Sequence, residues 1–299
     1  MRLPNLLVIG PGRTGTTSLR WTLATHEDIF MISGPSKERL IERSPAHKEE
    51  QCHCEVHYFS WKYDRGEDWY KQHFVDIEQT GQKYVGEKSP SYIPPDPHRS
   101  NSRTNFCVQR IKDDLPKDTK FIFTMRDPAD RAYSQWCHNK QHRYNGQWSK
   151  YADLSFGDAV RMNDDTDRAG DRLPHGNQLL YYSDYYLQLE QWIQVYGNLD
   201  NVYIMVNEEV KLRPHEEYRK LFAWLDLPEE ADYGRDFSKK AQGGIPARNY
   251  VSSNFINHTD YETFGVMQEE DRAYLDDYYR DSKDKLYNLI GREIKLWEL

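Results

Sequence analysis

The sequence predicts an α/β fold with a central, mainly parallel sheet flanked by helices in three layers. Three short apolar runs predict buried strands, over Leu6–Ile9, Lys120–Met125 and Asn201–Val206. Stretches with helical periodicity lie between and after these runs, and strands that alternate with helices are typical of α/β domains. The chain contains no internal repeat and no low-complexity tract. We therefore expect one domain over residues 1–299.

The predicted elements follow one another in a regular order. A glycine-rich turn after the first strand leads into a helix, which the pattern places over Ser18–Thr25. Further helices are predicted, in chain order, over residues 179–196, Tyr218–Leu225 and Leu275–Ile290. Gly197, Pro228 and Gly291 supply the stops that these helices require. Polar stretches without periodicity are predicted to be loops or short insertions, over residues 33–53, 94–105 and 139–178.

Composition limits the classes of function. The chain of 299 residues has 37 % hydrophobic and 29 % charged residues, as expected for a globular domain with a polar surface. Its formal net charge of -8 argues against a nucleic-acid partner. No apolar run reaches the roughly 20 residues that a membrane helix needs, and no signal-peptide pattern opens the sequence. We therefore expect a cytoplasmic protein without a membrane segment in this chain.

The cysteines are few and mostly far apart. They are Cys52, Cys54, Cys107 and Cys137. We predict that they are unpaired thiols, as is usual in a reducing compartment. A zinc site at the C-x-C with His53 and His57 is the alternative, but this arrangement lacks the paired spacing of a structural zinc site.

The turn after the first strand has the pattern of a phosphate-binding loop. Residues 10–17 read GPGRTGTT, which fits G-x-x-x-x-G in the strand–turn–helix context that makes the predicted domain P-loop-like. Backbone N–H groups at a helix start bind anions. Thr16 replaces the lysine that follows the last glycine in nucleotide triphosphatases, and the cation stands at Arg13 instead. The candidate ligands are Arg13, Thr14, Gly15, Thr16, Thr17 and Ser18. The alternative is a tight turn with a surface arginine.

A second anion site is predicted where another strand ends. Arg126 directly follows the strand over Lys120–Met125, and Ser134 lies eight residues later on a helix that Pro128 can open. Ligands of open α/β sheets bind beyond the carboxyl ends of the strands, so a guanidinium and a hydroxyl there suit a phosphate. The alternative is a simple helix start capped by Asp127.

Two further segments place ionisable groups among apolar and aromatic neighbours. CEVHYFSW, residues 54–61, contains Glu55 and His57, and YVGEKSPSYI, residues 84–93, contains Lys88. Such surroundings shift pKa values and are typical of acid–base sites. In an extended segment, residues two apart face the same side, so His57 is expected to lie beside Glu55. The alternative is strands whose polar residues face water.

These motifs together resemble the sulfotransferase superfamily, which transfers a sulfonyl group from 3′-phosphoadenosine 5′-phosphosulfate (PAPS) to an acceptor. RTGTT, residues 13–17, stands where many members have K-x-G-T-T in the 5′-phosphosulfate loop, and an arginine there is similar to the tyrosylprotein branch. Arg126 and Ser134 match the family's 3′-phosphate pair, including its spacing. EVHYF, residues 55–59, and EKSPSY, residues 87–92, resemble the heparan sulfate 3-O-type glycan sulfotransferases most closely.

Two features depart from the family pattern. The late K-G-R-x-x-P loop, which closes over PAPS, has no clean counterpart. Its best candidate is KKAQGGIPARN, residues 239–249, with Lys240 or Arg248 as a phosphate ligand. The C-terminal cysteine pair common in the glycan enzymes is absent. This absence favours a non-secretory setting.

The resemblance implies a mechanism without a metal. Glu55 would take the acceptor's proton, and His57 would orient Glu55 or the acceptor hydroxyl. Arg13 and Lys88, with the loop amides, would stabilise the leaving phosphate and the sulfonyl oxygens. The expected partner is a hydroxylated acceptor, a neutral or modestly anionic saccharide or glycoside. The alternatives are a small non-carbohydrate alcohol, phenol or amine as acceptor, a P-loop kinase, which would need magnesium ligands, and a nucleotide-binding module without catalysis.

Overall fold

The computed structural model describes residues 3–32, 55–74, 81–93, 106–142, 154–161, 178–228 and 264–298. They form an α/β fold with a five-stranded, all-parallel sheet flanked by helices, in the strand order β2-β3-β1-β4-β5. The strands are β1 (Leu6–Gly10), β2 (Ile29–Met31), β3 (Tyr84–Lys88), β4 (Lys120–Met125) and β5 (Val202–Val206). The predicted fold class is therefore confirmed.

The helices cover most of the remaining described chain. They are α1 (Thr16–Leu23), α2 (Tyr58–Trp61), α3 (Glu67–Lys71), α4 (Cys107–Asp114), α5 (Pro128–His142), α6 (Gln178–Tyr181), α7 (Tyr185–Tyr196), α8 (Asn207–Leu212), α9 (Pro214–Trp224) and α10 (Glu269–Ile290). Residues 156–161 are also helical. No helix in these described stretches is long and apolar enough to cross a membrane.

The central strands follow from unbroken apolar runs. Leu6 to Ile9 have no solvent exposure, and β1 pairs in parallel with β3 on one side and β4 on the other. A strand buried on both faces reads as a continuous hydrophobic run, which is why β1 and β4 were predictable. The prediction for β5 is also confirmed, with its start one residue later, at Val202.

Two predictions about connecting segments are wrong in part. The helix predicted over residues 179–196 is two helices, because the Asp184 carboxylate accepts the Leu187 N–H at 3.3 Å and caps α7. The loop predicted over residues 139–178 contains the end of α5 and the helical residues 156–161. Gln135 donates to Asn139 at 2.7 Å, which supports the polar end of α5. The predicted loops over residues 33–53 and 94–105 lie outside the described residues.

The chain divides into two compact units, each described by itself. The first comprises Met1–Thr124 and Glu190–Asp236, and it contains almost all of the sheet. The second comprises Met125–Leu189 and Phe237–Leu299, and its core includes α5, α6 and α10. Gly291 ends α10 in a left-handed conformation with φ 70°, as predicted. The expected single domain over residues 1–299 remains a prediction.

Two of the cysteines can be placed in this fold. Cys107 on α4 and Cys137 on α5 are buried thiols. Burial raises the pKa of the Cys107 thiol and outweighs the opposing charge of Arg110, so this side chain behaves as a small hydrophobic residue. Cys52, His53 and Cys54 lie outside the described residues.

Candidate active site

The phosphate loop joins β1 to α1 in the first unit. Arg13 and Gly15 both have left-handed backbone conformations, with φ 73° and φ 92°, while Thr14 between them does not. Such alternation turns successive N–H groups toward one concave side and forms an anion-binding nest. The left-handed conformation costs a residue with a Cβ about 1 kcal/mol, so the surroundings must hold Arg13 in place. The loop therefore has the backbone geometry that the motif predicts.

Contacts from neighbouring strands hold this loop. The Thr14 side chain is buried, and its hydroxyl donates to the Pro11 carbonyl at 2.6 Å and lies 2.5 Å from the Thr124 hydroxyl. The Asn207 amide, just after β5, donates to the Thr14 carbonyl at 3.1 Å. Sequence analysis missed Thr124 and Asn207. Polar residues at the carboxyl ends of parallel strands were the only signal for them.

Two glycines allow the close approach of other chain segments to the loop. A Cβ on Gly15 would lie 2.2 Å from the Asn207 Nδ2 atom, and Gly15 has φ 92°. A Cβ on Gly10 would lie 2.5 Å from the Pro90 carbonyl oxygen, and Gly10 has φ 108°. Both positions therefore favour glycine for backbone conformation, and Gly10, which faces backbone atoms, also requires it for space.

Lys88 joins the loop helix to the predicted base. It ends β3, which lies beside β1 in parallel with Val8 opposite Lys88, so the side chain emerges next to the phosphate loop. Lys88 is only 3 % exposed. Its ammonium group contacts the Glu55 carboxylate and lies 3.4 Å from the Thr17 hydroxyl. The interpretation of β3 as a strand with water-facing polar residues is therefore wrong. The ion pair with Glu55 explains how the lysine can be buried.

His57 completes the cluster from the opposite side of Glu55. Its Nε2 atom lies 3.1 Å from the Glu55 carboxylate, and its Nδ1 atom lies 2.6 Å from the Ser91 hydroxyl. The expected proximity of His57 and Glu55 is confirmed, but the expected extended segment is wrong. His57 has φ 57° and ψ 26°, and this left-handed residue starts α2. The ring of Trp61 stacks on His57 with centroids 4.2 Å apart, and Trp61 is 53 % exposed.

The protonation states follow from these contacts. Burial raises the pKa of Glu55, but the hydrogen bond from His57 and the charge of Lys88 outweigh it and hold the value at about 2. Burial lowers the pKa of His57, against the opposing effect of Glu55. At neutral pH the cluster therefore has an ionised carboxylate and a neutral imidazole. Because the carboxylate can only accept, Nε2–H donates to Glu55 and Nδ1 accepts from Ser91.

The residues predicted to bind the 3′-phosphate lie in the second unit. Arg126 follows β4, and the Tyr185 hydroxyl fixes its backbone by accepting the Arg126 N–H at 3.2 Å and donating to the Arg126 carbonyl at 2.7 Å. Ser134 lies on α5, and both side chains are almost fully buried. Asp127 caps α5 by accepting the Asp130 N–H at 2.9 Å, so this segment is a capped helix start as well. The phosphate-binding role stays a prediction.

Some predicted residues are not placed. Lys240 and Arg248, the candidates for the closing loop, lie outside the described residues. Within the parts of the chain that are described, no three His, Cys, Asp or Glu side chains form a group that could hold a metal ion.

Comparisons with known proteins agree with these motifs. Human bifunctional heparan sulfate N-deacetylase/N-sulfotransferase 1 is 24 % identical over 302 residues, which cover 99 % of this chain and 31 % of that protein. The membrane-associated sulfotransferase kil1 of Dictyostelium discoideum is 23 % identical over 368 residues, which cover 99 % of this chain and 67 % of kil1. The chain thus spans about a third of the length of the heparan sulfate relatives.

A solved structure shares the fold of this chain, and a family model matches most of its length. The crystal structure of a sulfotransferase from Alicyclobacillus acidocaldarius has a TM-score of 0.64 at 22 % identity, with both chains covered completely, and so shares the fold. The family model for the sulfotransferase domain matches residues 3–288. The resemblance to the sulfotransferase superfamily is therefore confirmed, and the chain belongs to the sulfotransferase family.

Proposed function

We propose that this sulfotransferase transfers the sulfonyl group of PAPS to a hydroxyl of a saccharide or glycoside, with Glu55 as the general base. The observation that carries the proposal is the contact of the Glu55 carboxylate with both Lys88 and His57, next to the phosphate loop. An ionised carboxylate, a cation and a loop of backbone donors are the groups that this reaction requires.

The chemical step is an in-line displacement at sulfur. The acceptor oxygen forms a bond to sulfur as the bond from sulfur to the 5′-phosphate oxygen breaks, and the acceptor proton goes to Glu55. Arg13, Lys88 and the loop N–H groups stabilise charge on the leaving phosphate and the sulfonyl oxygens. Arg126 and Ser134 bind the 3′-phosphate, with Lys240 or Arg248 closing over the donor. No step in this scheme needs a metal ion.

Donor binding strengthens Glu55 as a base. Lys88 holds the pKa of Glu55 below its ordinary value, and it also reaches Thr17 in the first turn of α1. An anionic donor in the loop shares the Lys88 charge, and a carboxylate with a weaker cationic partner has a higher pKa. A higher pKa improves proton transfer from a hydroxyl.

Two observations support a sugar as acceptor. Trp61 is half-exposed and stacks on His57, so an apolar ring surface adjoins the acid–base pair. Aromatic side chains with this exposure suit the apolar faces of pyranose rings. The relatives named for heparan sulfate act on a glycan. The net charge of -8 favours a neutral or modestly anionic saccharide over a long polyanion.

The experiment that tests this proposal replaces the base. Glu55→Gln keeps shape but cannot accept a proton, so we expect turnover to fall about 10²- to 10⁴-fold while PAPS affinity stays within about twofold. Transfer is measured by the mass of the sulfated product on a panel of neutral sugars, uronic-acid oligomers, phenols and amines. Calorimetry with adenosine 3′,5′-bisphosphate reports donor-site binding.

The matched control is Glu67→Gln. Glu67 pairs with Lys71 at 2.8 Å on the surface of the same unit, so this change breaks an ion pair away from the cluster. Its turnover should match that of the wild type. Unchanged turnover in Glu55→Gln would contradict the assigned base, and sulfation of phenols or amines alone would contradict the carbohydrate acceptor.

A further inference from the structure

A buried carboxylate with no part in the proposed reaction precedes Lys88 on β3. Glu87 is 1 % exposed, and hydroxyl groups surround it. Tyr70 and Tyr92 both donate to its Oε1 atom at 2.6 Å, and Ser89 donates to its Oε2 atom at 2.8 Å. Adjacent strand residues project to opposite faces, so Glu87 and Lys88 serve two different environments.

Two of these hydroxyls, and the carboxylate itself, bind consecutive backbone amides. The Val56 N–H donates directly to the carboxylate. The His57 N–H donates to the Ser89 hydroxyl at 2.9 Å, and the Tyr58 N–H donates to the Tyr92 hydroxyl at 3.0 Å. The backbone N–H groups of Val56, His57 and Tyr58 are therefore hydrogen-bonded to one carboxylate, either directly or through a single hydroxyl.

The direction of each hydrogen bond is fixed. A backbone N–H can only donate, so the oxygens of Ser89 and Tyr92 accept from the backbone. Each hydroxyl has one proton, which it donates to Glu87. Burial raises the pKa of Glu87, while the hydrogen bonds from Tyr70, Tyr92 and Ser89 oppose this and favour the ionised form, in which both oxygens accept. A glutamine has one accepting oxygen, so it could keep the bonds from the two tyrosines but not the bond that Ser89 donates to the other oxygen.

The segment held in this way is the one that carries the acid–base pair. Glu55 and His57 flank Val56, and His57 has the left-handed conformation that persists only where its surroundings enforce it. We propose that Glu87 is a positioning residue, which fixes the backbone of residues 56–58 and thereby the Glu55 carboxylate and the His57 ring. The inference rests on the proposed function of Glu55 as the base.

Two tyrosines give a matched test. Tyr92→Phe and Tyr70→Phe each remove a buried 2.6 Å hydrogen bond to the same Glu87 oxygen, but only Tyr92 also binds the Tyr58 N–H. Both variants should lose similar thermal stability. We expect Tyr92→Phe to lower kcat about 10- to 100-fold, because displacement of a catalytic group by about 1 Å has effects of this size. Tyr70→Phe should keep kcat within about threefold. Both should bind adenosine 3′,5′-bisphosphate normally.

A double-mutant cycle separates positioning from general damage. If Glu87 and Tyr92 act through Glu55, Tyr92→Phe should change kcat less than about threefold in the Glu55→Gln background. Glu87→Gln should behave like Tyr92→Phe where it folds, and the tyrosine pair decides the question where it does not. Equal kcat values for Tyr92→Phe and Tyr70→Phe, or additive losses in the cycle, would overturn the inference. Unchanged kcat in Glu55→Gln alone would instead contradict the proposed base.

Discussion

Two clusters in this chain surround a buried or half-buried carboxylate with different groups. In the first unit, one carboxylate, Glu55, contacts two basic groups, Lys88 and His57. In the second unit, one guanidinium, Arg272, contacts two buried carboxylates, with 2.8 Å to Asp127 and 3.3 Å to Asp130. The first cluster thus has one carboxylate and two basic groups, whereas the second has one guanidinium and two buried carboxylates. The pKa of the carboxylate shifts in opposite directions in the two clusters.

The pKa shifts of the two carboxyls follow from these different surroundings. Burial raises the pKa of both Glu55 and Asp127. The hydrogen bond from His57 and the charge of Lys88 then bring Glu55 to about 2, whereas the neighbouring Asp130 helps to hold Asp127 at about 6 against Arg272. Both carboxyls are strongly perturbed, yet only the Glu55 cluster borders a phosphate loop. A shifted pKa therefore does not by itself identify a catalytic group.

The largest expected effect is on stability, at Arg272. Arg272→Ala removes a guanidinium that contacts the buried carboxylates of Asp127 and Asp130, which should lower the free energy of unfolding by about 3–5 kcal/mol. Urea unfolding measures the change. Arg280→Ala on the same helix is the control, because Arg280 pairs with Asp277 at 2.6 Å in an exposed position and should cost less than about 1 kcal/mol. Equal losses would show that the second cluster is not a buried network.

At Arg13 in the first unit we expect a loss of activity rather than a loss of stability. Arg13→Ala should lower turnover about 10²- to 10³-fold with little change in thermal stability, because a cation aimed at the reacting group acts in the transition state. Arg13→Lys should retain part of the activity, since the position needs a positive charge first. Turnover of PAPS with any working acceptor is the measurement. Near-normal activity of Arg13→Ala would contradict the assignment of the phosphate loop.

A smaller effect, on nucleotide affinity, should distinguish the predicted 3′-phosphate site from the phosphate loop. Arg126→Ala and Ser134→Ala should each weaken binding of adenosine 3′,5′-bisphosphate about 10-fold or more, which is the size expected for a hydrogen bond to a charged group. Binding of adenosine 5′-monophosphate should hardly change, because it lacks the 3′-phosphate. Calorimetry with both nucleotides decides the question. Equal weakening would mean that these residues do not contact that phosphate.

The least abrupt effect, spread over about two pH units, is a pH dependence of opposite sign in the two clusters. The pKa of Asp127 lies above its ordinary 3.8, so the folded state binds this proton more tightly, and its contribution to stability falls as pH rises from about 4 to 6. The pKa of Glu55 lies below its ordinary 4.5, so its contribution is full above about 4.5 and is lost as pH falls toward 2. Each slope is at most about 1.4 kcal/mol per pH unit.

Urea unfolding of the wild type, Asp127→Asn and Glu55→Gln over this range tests the signs. Relative to the wild type, Asp127→Asn should become more stable as pH rises through about 6, and Glu55→Gln as pH falls below about 4.5. Stability curves that run parallel in all three proteins would contradict both shifts.

Local pattern was enough to predict the centre of the fold. β1 is an unbroken apolar run from Leu6 to Ile9, and β4 is apolar apart from Lys120 and Thr124, a pattern that is typical of strands buried on both faces. β3 was considered only as an alternative, a strand with water-facing polar residues, because Glu87 and Lys88 interrupt its apolar pattern. Both are buried only because distant partners satisfy them, such as Tyr70 for Glu87 and Glu55 for Lys88. β2, with three residues, is too short for any periodicity.

The candidate site was predictable in its members but not in its supports. Arg13, Glu55, His57 and Lys88 stand in motifs with recognisable spacing. Asn207 contacts Thr14 across 193 residues of sequence, and no local pattern reports such a contact. The left-handed turn at His57 was equally hidden, because a histidine in this conformation depends on the hydrogen bonds around it.

The packing of Gly10 against Pro90 has an evolutionary consequence. A Cβ at position 10 would lie 2.5 Å from the Pro90 carbonyl oxygen in the EKSPSY segment, so the backbones of the two motifs pack directly against each other. A directed-evolution library that varies residue 10, alone or together with residues 89–92, should return glycine almost exclusively, because the φ of 108° disfavours any side chain and the opposing atoms belong to the backbone. The donor loop thus constrains the backbone of the acid–base segment whatever side chains that segment carries.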